Sequence, residues 1–302
     1  MIKSGIIIIN KAAGMSSHKV VSCCRRILGE KKIGHGGTLD PMATGVLPIF
    51  IRRATRASGL LLESDKSYTA AFRTGVTTDT QDITGKVLSV SSHTPPDNEV
   101  AEILISFTGR QRQIPPMYSA LKVDGKKLYE IAREGGEVER KPRDIEIYSI
   151  AYLGKRGGDH VISVACSKGT YIRTLVHDIG AALGCGAALT GLERTKAGPF
   201  SIKDAVTLEE LEAVSRSGGV EDIIISTDKM FSEYDRLTID PDGERLCRYG
   251  AVVPYGNVTS ALPGHDGLVG RKLRVYSVTG EFLMLSLGTP EGLKTEKSFF
   301  EI

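Results

Sequence analysis

Two short segments hold residue types whose spacing could do chemistry. The first is His35-Gly36-Gly37-Thr38-Leu39-Asp40-Pro41, preceded by Gly34. Glycines at 34, 36 and 37 open backbone conformations closed to other residues and let a ligand approach closely. Pro41 fixes its own φ and biases Asp40 away from the helical region. The apolar run at residues 46–51 reads as a buried strand, and a carboxylate beside it is expensive unless it has a partner or a task. A lone Asp-Pro is ordinarily a turn or a cap, so the loop by itself leaves both readings open. The second segment is Cys166-Ser167-Lys168-Gly169-Thr170-Tyr171-Ile172-Arg173-Thr174. It joins a strand to an amphipathic helix and sets Tyr171 and Arg173 near the helix start, the crevice edge where α/β folds gather ligand-binding groups. On its own it reads as readily as a core tyrosine and a surface arginine.

Other catalytic signatures fail. His-Gly-Gly is like an oxyanion-hole turn, but no G-x-S-x-G nucleophile elbow accompanies it. No Gly-Lys pair is followed by the Ser or Thr of a P-loop, and neither Gly34-x-Gly36 nor Gly184-x-Gly186 completes G-x-G-x-x-G. The six histidines are scattered, so no metal is expected.

The elements that must position these segments are legible in outline. Ser16 or Ser17 can cap a helix with Val20, Val21, Cys24, Ile27 and Leu28 on one side and Gly29 beyond its end. Strands are expected at 5–9, 46–51, 68–72, 145–153, 161–166 and 188–192, and helices at 54–62, 100–107, 127–133, 170–183 and 207–214. Residues 74–85 are rich in turn formers, and 91–98 read as a loop. The run SRSGG at 215–219 reads as a linker, and beyond Tyr234 short strands at 273–278 and 282–287 suggest a small β domain.

At 302 residues with 41% hydrophobic and 25% charged composition, the chain suits a large domain plus a small one. Its five cysteines form no C-x-x-C pair, which favours reduced thiols and a cytoplasmic location. The N-terminal apolar run is too short for a signal peptide or a membrane span. The net charge of +3 is unevenly spread: residues 1–229 are net basic and 230–302 net acidic. The stretch 110–143 holds nine basic residues against five acidic ones. It suits a phosphate backbone or a solvated surface.

Taken together, the motifs resemble a known family. GHGGTLDPMATGVLPI is similar to the segment carrying the catalytic Asp of TruB-type tRNA pseudouridine-55 synthases. NKAAGMSS, PPMYSALKVDGKKLYEIAREG and CSKGTYIRTLVHDIGAALGCGA resemble further motifs of that family in the same order, covering residues 5–200. The resemblance implies an α+β fold: a mixed or antiparallel sheet flanked by helices at 1–229, with a basic RNA-clamping insert at about 110–143. Residues 230–302 resemble, more weakly, the family's small β-barrel-like PUA domain.

For function, the resemblance implies isomerisation of uridine 55 in the T loop of tRNA by base flipping, without cofactor. It implies a monomer that needs no protein partner and no membrane, acting on the tRNA T arm. Asp40, Tyr68 and Arg173 match the catalytic residues: carboxylate, base-stacking tyrosine and the arginine that pairs with the carboxylate. His35 matches the residue that enters the RNA loop as the uridine leaves, Tyr171 and Leu192 line the uracil pocket, and Lys11 supports the catalytic loop. Lys122, Lys126, Lys127 and Arg133 fall in the clamping insert, expected to meet the RNA backbone. One departure is visible: the family's Lys-Pro is Lys11-Ala12 here, which is expected to loosen that turn. Two other readings compete, a synthase guided by a small RNA within a protein complex and a non-catalytic RNA-binding protein or tRNA-folding chaperone. Such guided relatives carry long basic extensions; with four residues ahead of its first strand motif and its β domain last, the stand-alone type is expected here. Asp40, Tyr68 and Arg173 together argue against binding alone.

Overall fold

The computed structural model describes residues 2–123, 125–260 and 267–300. Four consecutive isoleucines in the strand Gly5–Lys11 are all buried, as expected of a strand covered on both faces. It pairs antiparallel with Thr44–Ile51 and parallel with Ala205–Val206. The ten-stranded sheet continues through Ala187–Ala197, Lys66–Thr74, Asp159–Cys166, Arg143–Arg156 and Gly109–Gln113. Thr44–Ile51 meets Ala187–Ala197 in parallel, whereas the four pairings beyond are antiparallel, so the sheet is mixed.

Helices close both halves. Ile172–Ala182 and Asp97–Ile105 bury Leu175, Val176, Val100 and Leu104 with Phe72 and Ile147 of the sheet. Ser17–Leu28 and Leu208–Ser217 cover the other half with Val20, Cys24 and Leu211. Each such side chain contributes about 1.5–3 kcal/mol when fully buried. Ser16 caps the first of these helices by accepting from the Lys19 N–H, and Gly29 (φ 63°) ends it in the left-handed region.

The structure corrects the reading of 215–219 as a linker. Ser215–Ser217 form the last turn of the helix, and Gly218 (φ 80°) terminates it. Serine is tolerated there, and the glycines are a helix stop rather than a hinge. The chain then stays on the large sheet, where Ile6 and Ile225 exchange two backbone hydrogen bonds of 2.8 Å. The expected strand at 188–192 is also longer, running to Ala197. Its later part holds Glu193, Arg194 and Lys196, whose charges hide the strand pattern.

The small C-terminal sheet runs Asp235–Ile239, Lys272–Ser277, Phe282–Thr289, Gly292–Ser298, with Pro241–Arg248 as its helix. Its first pairing is parallel and the other two antiparallel. Leu285, Phe282 and Phe299 pack with Phe231 into the cluster that holds Ile6, Ile8 and Phe50 of the large sheet. The Phe231 ring centroid lies 5.7 Å from that of Phe299 and 6.0 Å from that of Phe282. One apolar core therefore spans both sheets. Phe231→Ala should destabilise the whole chain by about 3–5 kcal/mol. Denaturant unfolding followed by circular dichroism and tyrosine fluorescence should show one transition moved to lower denaturant. Early melting of the small sheet alone, with the main transition unmoved, would show the two parts to be independent.

Candidate active site

The Asp40 loop lies between the short strand Ile33–His35 and Thr44–Ile51. Loops expose backbone polar groups that need partners when buried, and side chains supply them here. Ser17 Oγ accepts from Leu39 N–H at 2.9 Å and lies 3.1 Å from the Leu39 carbonyl, to which it donates. Lys11 Nζ donates to the carbonyls of Met15 (2.7 Å), Ala12 (2.9 Å) and Pro41 (3.2 Å). Gly14 N–H adds a second bond to the Pro41 carbonyl at 2.8 Å. The turn at Ala12 is thus closed by Lys11 itself, and burial pulls this amine down to about 8. Leu39, buried among Val20 and Ile49, anchors the residue before Asp40 in the core.

Arg194 secures the other side of the loop. It is 2% exposed and donates to the carbonyls of Val46 (2.8 Å), Gly37 (3.2 Å) and Thr38 (3.4 Å). Gly45 makes this approach possible: at φ 95°, a Cβ there would lie 2.3 Å from the Arg194 carbonyl oxygen. Of the three loop glycines, Gly37 takes φ 122°, and Gly36 leaves room for Phe50 and Leu61. Gly34 has neither need, being an ordinary strand residue with open space beside it.

Arg173 reaches Asp40 from the helix Ile172–Ala182. Its Nε lies 2.9 Å from Asp40 Oδ2, with the arginine side chain 5% exposed and the aspartate 38%. The other guanidinium nitrogens donate to the carbonyls of Tyr118 (2.8 Å) and Thr80 (3.0 Å). A second carboxylate, Asp82, stands 3.8 Å away and is bonded by the hydroxyls of Thr80 and Thr84. A fork with every arm engaged presents a fixed edge to Asp40.

The pair opens into a cavity of about 580 Å³ whose walls include Tyr68, Tyr171, Leu192 and Met42. Burial pushes the Tyr68 phenol above its ordinary value, with the Arg194 charge pulling the other way. Tyr171 is held by its backbone: Gln113 accepts from its N–H at 2.8 Å and donates to its carbonyl at 3.1 Å. Tyr129 and Arg133 reach the cavity from the insert. There Lys122–Val123 and Lys126–Lys127 form a two-stranded ladder leading into the helix Leu128–Arg133. Lys127 Nζ and Arg133 Cζ each lie 5.3 Å from the Tyr129 ring centre. Lys122 and Lys126 are exposed and do not line the cavity.

Asp40, Tyr68, Arg173, Tyr171, Leu192 and Arg133 thus meet in one place, and Lys11 stands behind the loop. His35 does not line the cavity. It is half-buried, its Nδ1 has no hydrogen-bond partner, and burial and then Arg194 lower its pKa. Sequence reasoning missed Arg194, Gln113 and Asp82. The first two act through backbone groups, which leave no motif, and Asp82 lay in a stretch read only as turns.

Residues 25–172 match the family described as TruB family pseudouridylate synthase, N-terminal domain, and 173–232 match the tRNA pseudouridylate synthase B C-terminal domain. The chain is 45% identical over 248 residues to tRNA pseudouridine synthase B of Syntrophotalea carbinolica, covering 82% of this chain and 81% of that one. To the protein of that name from Clostridium acetobutylicum it is 41% identical over 293 residues, covering 97% and 98%. Among solved structures it is similar to a chain in a crystal structure of a Cbf5–Nop10–Gar1 complex. The TM-score is 0.76 at 27% identity, over 98% of this chain and 85% of that one.

Lys11 yields a pH test. Burial lowers its amine from 10.5 to about 8, so between those values the unfolded chain binds more protons than the folded one. Stability from this group therefore rises with pH across that window and is level below about 8. Measured by denaturant unfolding from pH 7 to 10, wild type should gain stability relative to Lys11→Met only above about pH 8. A constant difference would mean that the amine titrates normally.

Proposed function

The chain belongs to the TruB family of pseudouridylate synthases, and from that premise we propose that it isomerises uridine 55 in the T loop of tRNA, with Asp40 as the catalytic carboxylate. Homologues of this identity and coverage make it a tRNA pseudouridine synthase. The position, the nucleophile and the route are inferred. The observation that carries them is the 2.9 Å contact between Arg173 and Asp40 in a cavity shared with Tyr68, Tyr171 and Leu192.

The reaction detaches uracil from its ribose, turns it and rejoins it through C5. Asp40 either attacks or deprotonates the ribose, and each role needs an ionised carboxylate. The guanidinium beside it pairs with that form at 2.9 Å and fixes its orientation. Tyr68 stacks on the base, and its phenol, protonated at neutral pH, stands within the cavity where a proton is to be moved. Tyr171 and Leu192 line the uracil site, and Lys11 supports the loop. The uridine must leave its stack to reach them, at a cost of a few kcal/mol offset by contacts in the cavity. His35, on the strand leading into the Asp40 loop, fills the space the nucleotide leaves in the RNA. Lys122, Lys126, Lys127 and Arg133 bind T-arm phosphates, and residues 230–302 act as a PUA-like second RNA contact appended to a catalytic part at 1–229. The chain works in the cytoplasm, as a monomer, without cofactor or protein partner. Supporting that last point, identity is 41–45% to the tRNA synthases but 27% to the Cbf5 chain of a multiprotein complex. A tRNA-folding chaperone activity can coexist, because flipping remodels RNA without chemistry.

Asp40→Asn is close to isosteric and removes the charge. It should keep the fold and much of the tRNA affinity while turnover falls to near background in a tritium-release or mass-spectrometric assay. Retention of a tenth of the activity, a loss of only about 1.4 kcal/mol, would exclude Asp40 as nucleophile.

The insert is tested by salt. Phosphate contacts position RNA without specifying sequence, so Lys126→Ala/Lys127→Ala should bind tRNA more weakly and modify the same uridine. Each lost contact should lower the slope of log K against log salt by roughly 0.7–0.9. Parallel lines for the two proteins would remove these lysines from the interface.

A further inference from the structure

Among the described residues, five buried side-chain polar atoms have no hydrogen-bond partner: His35 Nδ1, Ser119 Oγ, Arg140 Nε, His177 Nδ1 and Thr190 Oγ1. Of these residues only Ser119 lines the cavity. It is 4% exposed, and its position is fixed through the backbone. Ser119 N–H donates to the Met117 carbonyl at 2.9 Å, and the Ser119 carbonyl accepts from Tyr129 N–H at 3.1 Å. The carbonyl just before it, that of Tyr118, takes the Arg173 guanidinium. One short strut thus carries both Ser119 and a partner of the catalytic arginine. The Tyr171 phenol feels Ser119 as a hydrogen-bonding neighbour, which pulls its pKa down against the larger upward push of burial, although no partner of Ser119 Oγ lies at normal hydrogen-bond distance.

A buried hydroxyl with no partner at normal hydrogen-bond distance is left under-satisfied, which a ligand can relieve. Of the other small hydroxyls bordering this cavity, Thr80 and Thr84 bond Asp82, Thr170 bonds the Ser167 carbonyl, and Thr38 is exposed to water. A uracil ring brings two carbonyl acceptors that need donors once flipped out of water. We propose that Ser119 is a specificity-determining residue, whose hydroxyl donates a hydrogen bond to a ring carbonyl of the flipped uracil beside Tyr171. This rests on reading the cavity as the uridine site.

The test compares wild type with Ser119→Ala on T-arm RNA whose target is uridine, 2-thiouridine or 4-thiouridine, sulfur being the poorer acceptor. Wild type should convert uridine, and Ser119→Ala should lower kcat/KM on it by roughly two- to tenfold, the range of one neutral hydrogen bond. With sulfur at the contacted carbonyl, wild type should already be impaired and the substitution should add less than twofold. The variant should melt no lower than wild type, because the hydroxyl it loses has no partner at normal hydrogen-bond distance. Equal losses on all three RNAs, or a lower melting temperature that accounts for the loss, would overturn the role of Ser119 while leaving the uridine site standing. Failure of wild type to convert uridine would overturn both.

Discussion

The contact between Arg173 and Asp40 sets the terms for everything around it. A carboxylate at the mouth of a largely apolar cavity needs a counter-charge at hydrogen-bond distance. That counter-charge is itself 5% exposed and therefore needs partners of its own. The fold meets this demand with groups from distant parts of the chain: carbonyls at Thr80 and Tyr118, and a second carboxylate at Asp82. The segments bearing them meet only because the sheet brings the strand Lys66–Thr74 between Ala187–Ala197 and Asp159–Cys166. An error of an ångström in that packing would leave a buried charge without its hydrogen bond.

The same economy of backbone groups governs the loop that presents Asp40. Lys11, Ser17 and Arg194 are all buried, and all three bond carbonyls of that loop. None of them need touch a substrate, yet together they remove the freedom that a glycine-rich stretch would have. The glycines permit the path, and the buried cations keep the chain on it. Tyr68 is drawn into the same arrangement, because the Arg194 charge acts on its phenol.

How much was legible in the sequence follows from this division of labour. Local patterns were readable: the Ser16 cap, Gly29 at the helix end, the strand before Cys166, and the two segments that carry Asp40 and Arg173. Family resemblance gathered Tyr68, Tyr171 and Leu192 with them, and the cavity walls contain all three. Arg194 was invisible because a charged residue in an otherwise polar stretch reads as solvent-exposed. Gln113 was hidden inside a run of arginines, although its amide clamps both sides of the Tyr171 peptide. The SRSGG run misled for a related reason. Composition favours a linker, while Ile225, just after the short helix Val220–Ile223, returns to the sheet, a fact that only long-range pairing contains.

The apolar cluster joining the two sheets has a geometric consequence. Phe231, Phe282, Phe299 and Leu285 pack with Ile6 and Phe50 without an intervening tether, so surfaces on the small sheet stand at a set spacing from the cavity. A ligand that touches both engages the second surface without slack to take up and without loop entropy to lose. For such a ligand the fixed spacing would act as a gauge. Polymers whose spacing matches gain the full benefit of both contacts, and those that are shorter, longer or differently bent gain one. Discrimination of that kind depends on the dimensions of the ligand, and no side chain has to read its sequence.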